Sequence, residues 1–201
     1  SLLDYYGLTD FFYPPPVFHP VDINNIEIVQ PHGSYVDVTR SENKIQFSYN
    51  RDQGEIDSFV ACKPTLDSSG EGSFWKVTID ALPGAWIFLG IIGNPDASNI
   101  PTSHTDSTCY GWAGSSSVYH GGTERKGDSG WTTFTQGESL YFHLKSNKLT
   151  IFSVQKNQKF TLDVATTDTY YIHFNMLFKG TKLTLEPLSE EERARFLLKL
   201  N

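Results

Sequence analysis

Cysteine is almost missing: Cys62 and Cys109 are the two in 201 residues. One bridge between them stays open as a reading, while a disulfide framework is excluded. Charge is sparse at 19%, and basic charge is sparser, with 16 Lys and Arg against 23 Asp and Glu for a net of −7. The first sixty residues set Asp4, Asp10, Asp22, Glu27, Asp37, Glu42, Asp52, Glu55 and Asp57 against Arg40, Lys44 and Arg51. Such a balance repels phosphate backbones and anionic lipid, which argues against nucleic-acid and membrane partners. Long apolar runs are missing too: the longest, residues 85–92, is broken by Gly90 and falls far short of a bilayer span. Residues 1–16 lack a basic n-region and read as neither signal nor transit peptide. No Asn-x-Ser/Thr sequon occurs, which points to a cytoplasmic protein.

What is present is apolar and ring-rich: 38% hydrophobic and 14% aromatic, enough to bury a core and too much for disorder. Residues 1–20, with Pro14, Pro15 and Pro16, read as a lead-in segment packed on the domain. From residue 21 the pattern is that of strands. Val21, Ile23, Ile26 and Ile28 mark one over 21–29, and Tyr35–Val38 and Ile45–Tyr49 alternate with period two. Further strands are expected at 74–79, 86–92, 110–112, 117–119, 140–144, 148–154, 159–164, 170–174 and 181–185. Turn signals separate them, among them Pro83-Gly84, Asn94-Pro95, Gly121-Gly122 and Ser146-Asn147. Many short strands with almost no helical period between them give an all-β sandwich or barrel. One short C-terminal helix is expected, because Ser189-Glu190-Glu191-Glu192 is a capping box ahead of Phe196, Leu197 and Leu200. The expected division is a lead-in over 1–20, a sandwich over 21–188 and the helix over 189–201.

Catalytic signals are weak. Gly127-Asp128-Ser129-Gly130 is like the nucleophile segment of chymotrypsin-like proteases, yet Trp131 follows it and no matching histidine segment lies upstream. Asp96, His104, Asp106 and Cys109 fall close together without the spacing of a zinc or calcium site. No cofactor motif is present. The expectation is therefore no enzyme, no metal and no cofactor.

The middle of the chain resembles the SPRY domain family, including its PRY–SPRY form. The likeness is an ordered series of segments. Phe59–Pro64 resembles the lead-in to the sandwich. Phe74-Trp75-Lys76-Val77 is similar to that family's Tyr-Trp-Glu-Val, and Trp86–Ile92 to its Trp-x-x-Gly-Val strand. Cys109-Tyr110-Gly111-Trp112 through Tyr119-His120-Gly121-Gly122 resembles its aromatic-Gly-Trp hairpin. Gly137–Leu140, Leu144–Phe152 and Tyr170–Asn175 follow in order, so the likeness spans about residues 58–186, with 21–57 standing as PRY-like strands. Lys76 replaces the usual Glu, the Ser146-Asn147 turn is short and the late Asn-Phe-Gly is absent, which marks a divergent member.

The resemblance implies a bent antiparallel β-sandwich of the concanavalin or jelly-roll type. It implies a non-catalytic, monomeric module that holds a protein or peptide in a cleft formed by loops at one end. Such a module often serves as the substrate arm of a regulatory or ubiquitin-ligase chain. The long stretch 94–108 and the Gly-rich loop 121–130 are the loops singled out. His104, Tyr110, Trp112, Tyr119, Arg125 and Trp131 are the candidate ligand-binding residues, since Tyr, Trp and Arg dominate recognition sites. A carbohydrate-binding, lectin-like module is the alternative, with exposed rings stacking on sugars.

Overall fold

The computed structural model describes residues 18–30, 35–51, 58–99 and 102–201. The proline run of the lead-in lies outside the described residues. Among those described, the strands form two stacked sheets, with one α-helix near the C-terminus. The first sheet contains β1 (His19–Pro20), β3 (Val36–Ser41), β4 (Lys44–Tyr49), β6 (Ser73–Ala81), β11 (Ser139–Lys145), β12 (Lys148–Ser153), β13 (Gln158–Asp163) and β15 (Lys182–Glu186). Its spatial order is β13-β12-β11-β6-β15-β4-β3. The second sheet contains β2 (Glu27–Val29), β5 (Ser58–Lys63), β7 (Ile87–Ile92), β8 (Cys109–Ala113), β9 (Ser117–His120), β10 (Thr123–Lys126) and β14 (Tyr171–Met176). It runs β10-β9-β8-β7-β14-β5-β2. All pairs are antiparallel except β1, which lies parallel to the start of β6 at Ser73 and Phe74. That edge is open because β15 ends at Glu186, opposite Lys76.

Period-two patterning decides which side chains meet between the sheets. Trp75, Val77 and Ile79 of β6 and Leu140, Phe142 and Leu144 of β11 face Leu89 and Ile91 of β7, Trp112 of β8, and Ile172, Phe174 and Met176 of β14. Trp75 stacks on Phe142 at 5.3 Å and Phe47 meets Phe174 edge-on at 5.3 Å, geometries that ring quadrupoles favour. On the outer side of the first sheet, Phe74, Tyr141 and Phe152 form a separate apolar patch. The helix α1 (Glu190–Leu200) covers it with the fully buried Phe196. Its capping box is complete: Ser189 Oγ accepts from the Glu192 N–H at 3.1 Å, and Glu192 Oε1 accepts from the Ser189 N–H at 3.1 Å.

Three local expectations need correction. Residues 21–29 do not form one strand; Ile23–Asn25 is a 3-10 turn and only Glu27–Val29 pairs, because Asn25 hydrogen-bonds back to Asp22 and draws the backbone into a turn, which Asn24 ties to Asn43 in the β3–β4 connection. Ser58–Lys63, read as a lead-in, is the strand β5, buried at five of its six residues and so lacking alternation. Residues 121–130, read as one loop, contain β10, an edge strand exposed at every position. Its charged Thr-Glu-Arg-Lys sequence carries no apolar period to detect, as suits a sheet edge kept from pairing further.

Candidate functional site

The connections gather at two rims. Strand directions put the β5–β6, β7–β8, β9–β10 and β13–β14 connections at one rim. The β6–β7, β8–β9, β10–β11 and β14–β15 connections lie at the other. The β7–β8 connection folds back as a strap over the outer face of the second sheet, through short 3-10 turns at Pro95–Asn99 and Ser103–Thr105.

This strap explains the burial of one predicted residue. His104 is only 7% exposed and sits among Trp86, Phe88 and Tyr119, with ring centroids at 5.1, 6.2 and 4.8 Å. Beneath the strap lies a polar cluster. His173 Nδ1 donates to the Val60 carbonyl at 2.9 Å, so the neutral ring accepts from Ser103 Oγ at Nε2, 3.1 Å away. Asn175 Nδ2 donates to the same Ser103 Oγ at 2.8 Å, while Asn175 Oδ1 has no partner. Burial drives the His104 pKa down to about 4 and that of His173 down to about 3. Glu124 opposes the shift at His104; the Val60 carbonyl and Asp106 oppose it at His173. Both rings are neutral at pH 7 and hold the strap by packing and hydrogen bonds. Room for them comes from Gly90 and Gly111, paired across β7 and β8. A Cβ on Gly111 would stand 2.7 Å from Phe88 Cζ, so the two glycines let the Phe88 ring lie flat under the histidines.

The other predicted residues divide between faces. Tyr119 lies with His104 on the outer face. Tyr110, Trp112 and Trp131 point into the core between the sheets. Tyr110 meets Tyr170 at 5.9 Å, and Trp131 donates from Nε1 to the Ala113 carbonyl at 2.7 Å. Trp131 also packs edge-on against Phe134 and Phe160, closing the gap between the β10 and β13 edges. Arg125 alone of the six is exposed, opposite Val118 on β10. The fold thus joins His104 to Tyr119 and Trp112 to Trp131, and it does not bring the six onto one surface. Alternation along β8 and β9 already separates Trp112 from Tyr119, since they belong to opposite faces.

A concave site opens elsewhere on the strap's rim. A cleft of about 300 Å3 lies between the starts of β6 and β14, the end of β5, and residues 19–26. Its floor is Val21, Ile26, Cys62, Leu66 and Ile172, and His19, Asp22, Asn25, Asp67 and Ser73 supply its polar groups. No sequence signal marks it, because its walls come from both sheets and from the turn mistaken for a strand. Cys62 at its floor is an inert thiol, its pKa pushed up to about 12 by burial.

At the cleft's edge a serine, an imidazole and a carboxylate meet. Ser69 Oγ lies 3.2 Å from His19 Nε2, and His19 Nδ1 lies 3.5 Å from Asp67 Oδ2. The connectivity is not that of an activated nucleophile. Ser69 gives its proton to Asp67 Oδ1 at 2.6 Å, so the imidazole is not the base for that hydroxyl. Asp67 is exposed, and Ser69 holds its carboxyl below the ordinary range through the hydroxyl and the backbone N–H. The trio clamps the β5–β6 connection to β1. Ser129, the sequence-level nucleophile candidate, stands exposed at the opposite rim with φ of 53°. Among the described residues no three of His, Cys, Asp and Glu converge as metal ligands.

A second hollow, about 450 Å3 and polar, lies on the outer face of the first sheet beyond the helix, lined by Thr39, Ser41, Lys44, Gln46, Thr78, Asp80, Thr184 and Glu186.

No family model matches the sequence, and a search of curated proteins gives no match. Solved structures do. A TRIM65 PSpry domain is 16% identical with a TM-score of 0.53, over 86% of this chain and 94% of that one. The SPRY domain of human HERC1 is 14% identical with a TM-score of 0.51, over 84% and 98%. A stonustoxin structure is 12% identical with a TM-score of 0.51, over 81% of this chain and 27% of the other. At such identities the likeness speaks for the fold. The order of the segments in the sequence, the two stacked antiparallel sheets and these neighbours agree: the chain folds as a divergent SPRY-like domain.

Proposed function

We propose that this chain is a non-catalytic protein- or peptide-binding module, and that the rim carrying the 300 Å3 cleft is the end that grips its partner. The observation that carries this reading is the cleft itself. It is concave, mostly apolar and built on strands from both sheets, and a few polar groups converge at its mouth. A rigid frame limits the entropy lost on binding. The SPRY-type neighbours support a module that binds partners without chemistry. In this reading the chain acts as the monomeric recognition arm of a larger cytoplasmic regulatory protein, such as a ubiquitin ligase. His104, Tyr110, Trp112, Tyr119 and Trp131 brace the frame, and Arg125 supplies an outlying polar contact.

A peptide array probed with the wild-type chain and with Leu66→Trp, which fills the cleft, tests the proposal. Sequence-selective binding lost in the variant supports it. An array without selectivity, or selectivity that survives the filled cleft, removes it. The glycan reading draws on the polar hollow of the first sheet, where Thr184 Oγ1 donates to Asp80 Oδ2 at 2.5 Å among further hydroxyls. Its lining contains no ring for a sugar to stack on, which is why it ranks second. Binding on a glycan array, lost in Asp80→Ala, would put it first. Ester hydrolysis by the wild type that disappears in Ser69→Ala would replace both readings.

A further inference from the structure

The chemistry of the cleft narrows the partner, on the reading that this rim is the binding end. Its floor takes aliphatic surface: Ile26 and Cys62 from one side, Leu66 and Ile172 from the other. Its mouth is acidic, with Asp22 and Asp67 and no lysine or arginine among the described lining residues. The Arg40 guanidinium donates to the Ile26 carbonyl, and Lys63 lines an adjoining hollow with Glu27 and Tyr171. Each acid is anchored through one oxygen. Asp67 Oδ1 accepts from Ser69 at 2.9 and 2.6 Å, leaving Oδ2 turned toward His19. Asp22 Oδ2 accepts from Asn25 Nδ2 at 2.5 Å.

A volume of about 300 Å3 is at the small end of ligand pockets, suited to one long side chain rather than a whole ligand. An apolar stem with a positive tip fits this arrangement best. Lysine and arginine bury their methylenes along apolar walls and keep the charged head at the wet end. A neutral aliphatic chain would leave the carboxylates unanswered, and an acidic one would meet like charge. We propose that the cleft receives a lysine or arginine side chain of a partner peptide, its methylenes against Ile26, Leu66 and Ile172 and its cation between Asp22 and Asp67.

The test is an NMR titration of the full 201-residue chain with the blocked amides of arginine, lysine, norleucine and glutamate. The expected result is saturable shifts of the Leu66 and Ile172 methyls with arginine and lysine amides, at least about tenfold weaker binding of norleucine amide, and none of glutamate amide. Asp67→Asn and Asp22→Asn keep shape and remove charge, so each should weaken the cationic ligands about three- to fivefold, in line with exposed ion pairs. Raising the salt should do the same. Norleucine binding as tightly as arginine, affinity unchanged in both Asn variants, or shifts mapping away from the cleft would each overturn the proposal. The two levels fail separately. Array peptides selected without Lys or Arg, yet lost in Leu66→Trp, would end the cationic assignment and keep the binding rim. Selection indifferent to Leu66→Trp would end the rim itself.

Discussion

His104, His143 and His173 are buried imidazoles, and desolvation lowers the pKa of each. For His104 and His173 the folded values, about 4 and about 3, lie below the ordinary 6.5 of an exposed ring. The unfolded chain therefore binds more protons below pH 6.5, and stability falls as pH drops from 6.5 toward those folded values. Each ring contributes a slope of about 1.4 kcal/mol per pH unit in that window. Urea midpoints measured at pH 7, 6 and 5 should fall steeply, and the slope should be shallower in His173→Gln than in wild type. Equal slopes would show that the ring is not held neutral. The residue scale was partly legible. His143 and His173 stand in strand segments beside aromatic residues, and both rings are paired with backbone carbonyls. His104 was not legible as an interior residue, because the strap that turns it inward has no periodic pattern.

At the scale of elements, α1 shows how a local signal and a tertiary contact reinforce each other. The capping box was readable from Ser189 and Glu192, but the sequence does not say where the helix docks. Glu192 makes that connection, accepting at Oε2 from Lys76 Nζ at 2.8 Å and from the Tyr141 hydroxyl at 3.0 Å. Burial works against its charge, yet the Lys76, Ser189 and Tyr141 donors hold its carboxyl below the usual range. Lys76, a departure from the pattern the chain resembles, is thus the partner of its own C-terminal helix. Phe196→Ala empties the patch over Phe74, Tyr141 and Phe152 and should cost about 3 kcal/mol. Ser189→Ala should cost about 1 kcal/mol through the lost cap. Urea denaturation measures both, and a Phe196→Ala loss no larger than that of the cap would show the helix is not docked.

For the whole molecule, the two sheets decide the fate of the thiols. Cys62 on β5 faces the core between the sheets, and Cys109 on β8 faces the outer side. Two strands, β14 and β7, separate theirs, so three strand spacings put them about 14 Å apart, beyond the reach of a disulfide. Both are free and buried, with pKa values raised by desolvation. A thiol reagent should therefore label neither in the native chain at pH 8 and both in denaturant, and a reductant should leave the melting temperature unchanged. Native labelling at two equivalents, or a drop in melting temperature on reduction, would contradict this arrangement.

Composition and period-two patterning by themselves determined an all-β protein, sandwich or barrel, because alternation is enforced locally by the strand backbone, and the capping box at Ser189 determined its one C-terminal helix. The resemblance rested on the ordered segments themselves, among them Phe74–Val77, Trp86–Ile92 and Tyr110–Trp112. Strands without alternation escaped: β5 is buried on both faces and β10 is exposed on both, so neither leaves a period. Only the tertiary structure decided which rings are interior and where a cleft opens. Burial of Trp112 or Trp131 depends on what packs opposite, and the cleft's floor joins Val21 and Ile26 to Cys62, Leu66 and Ile172, segments distant along the chain.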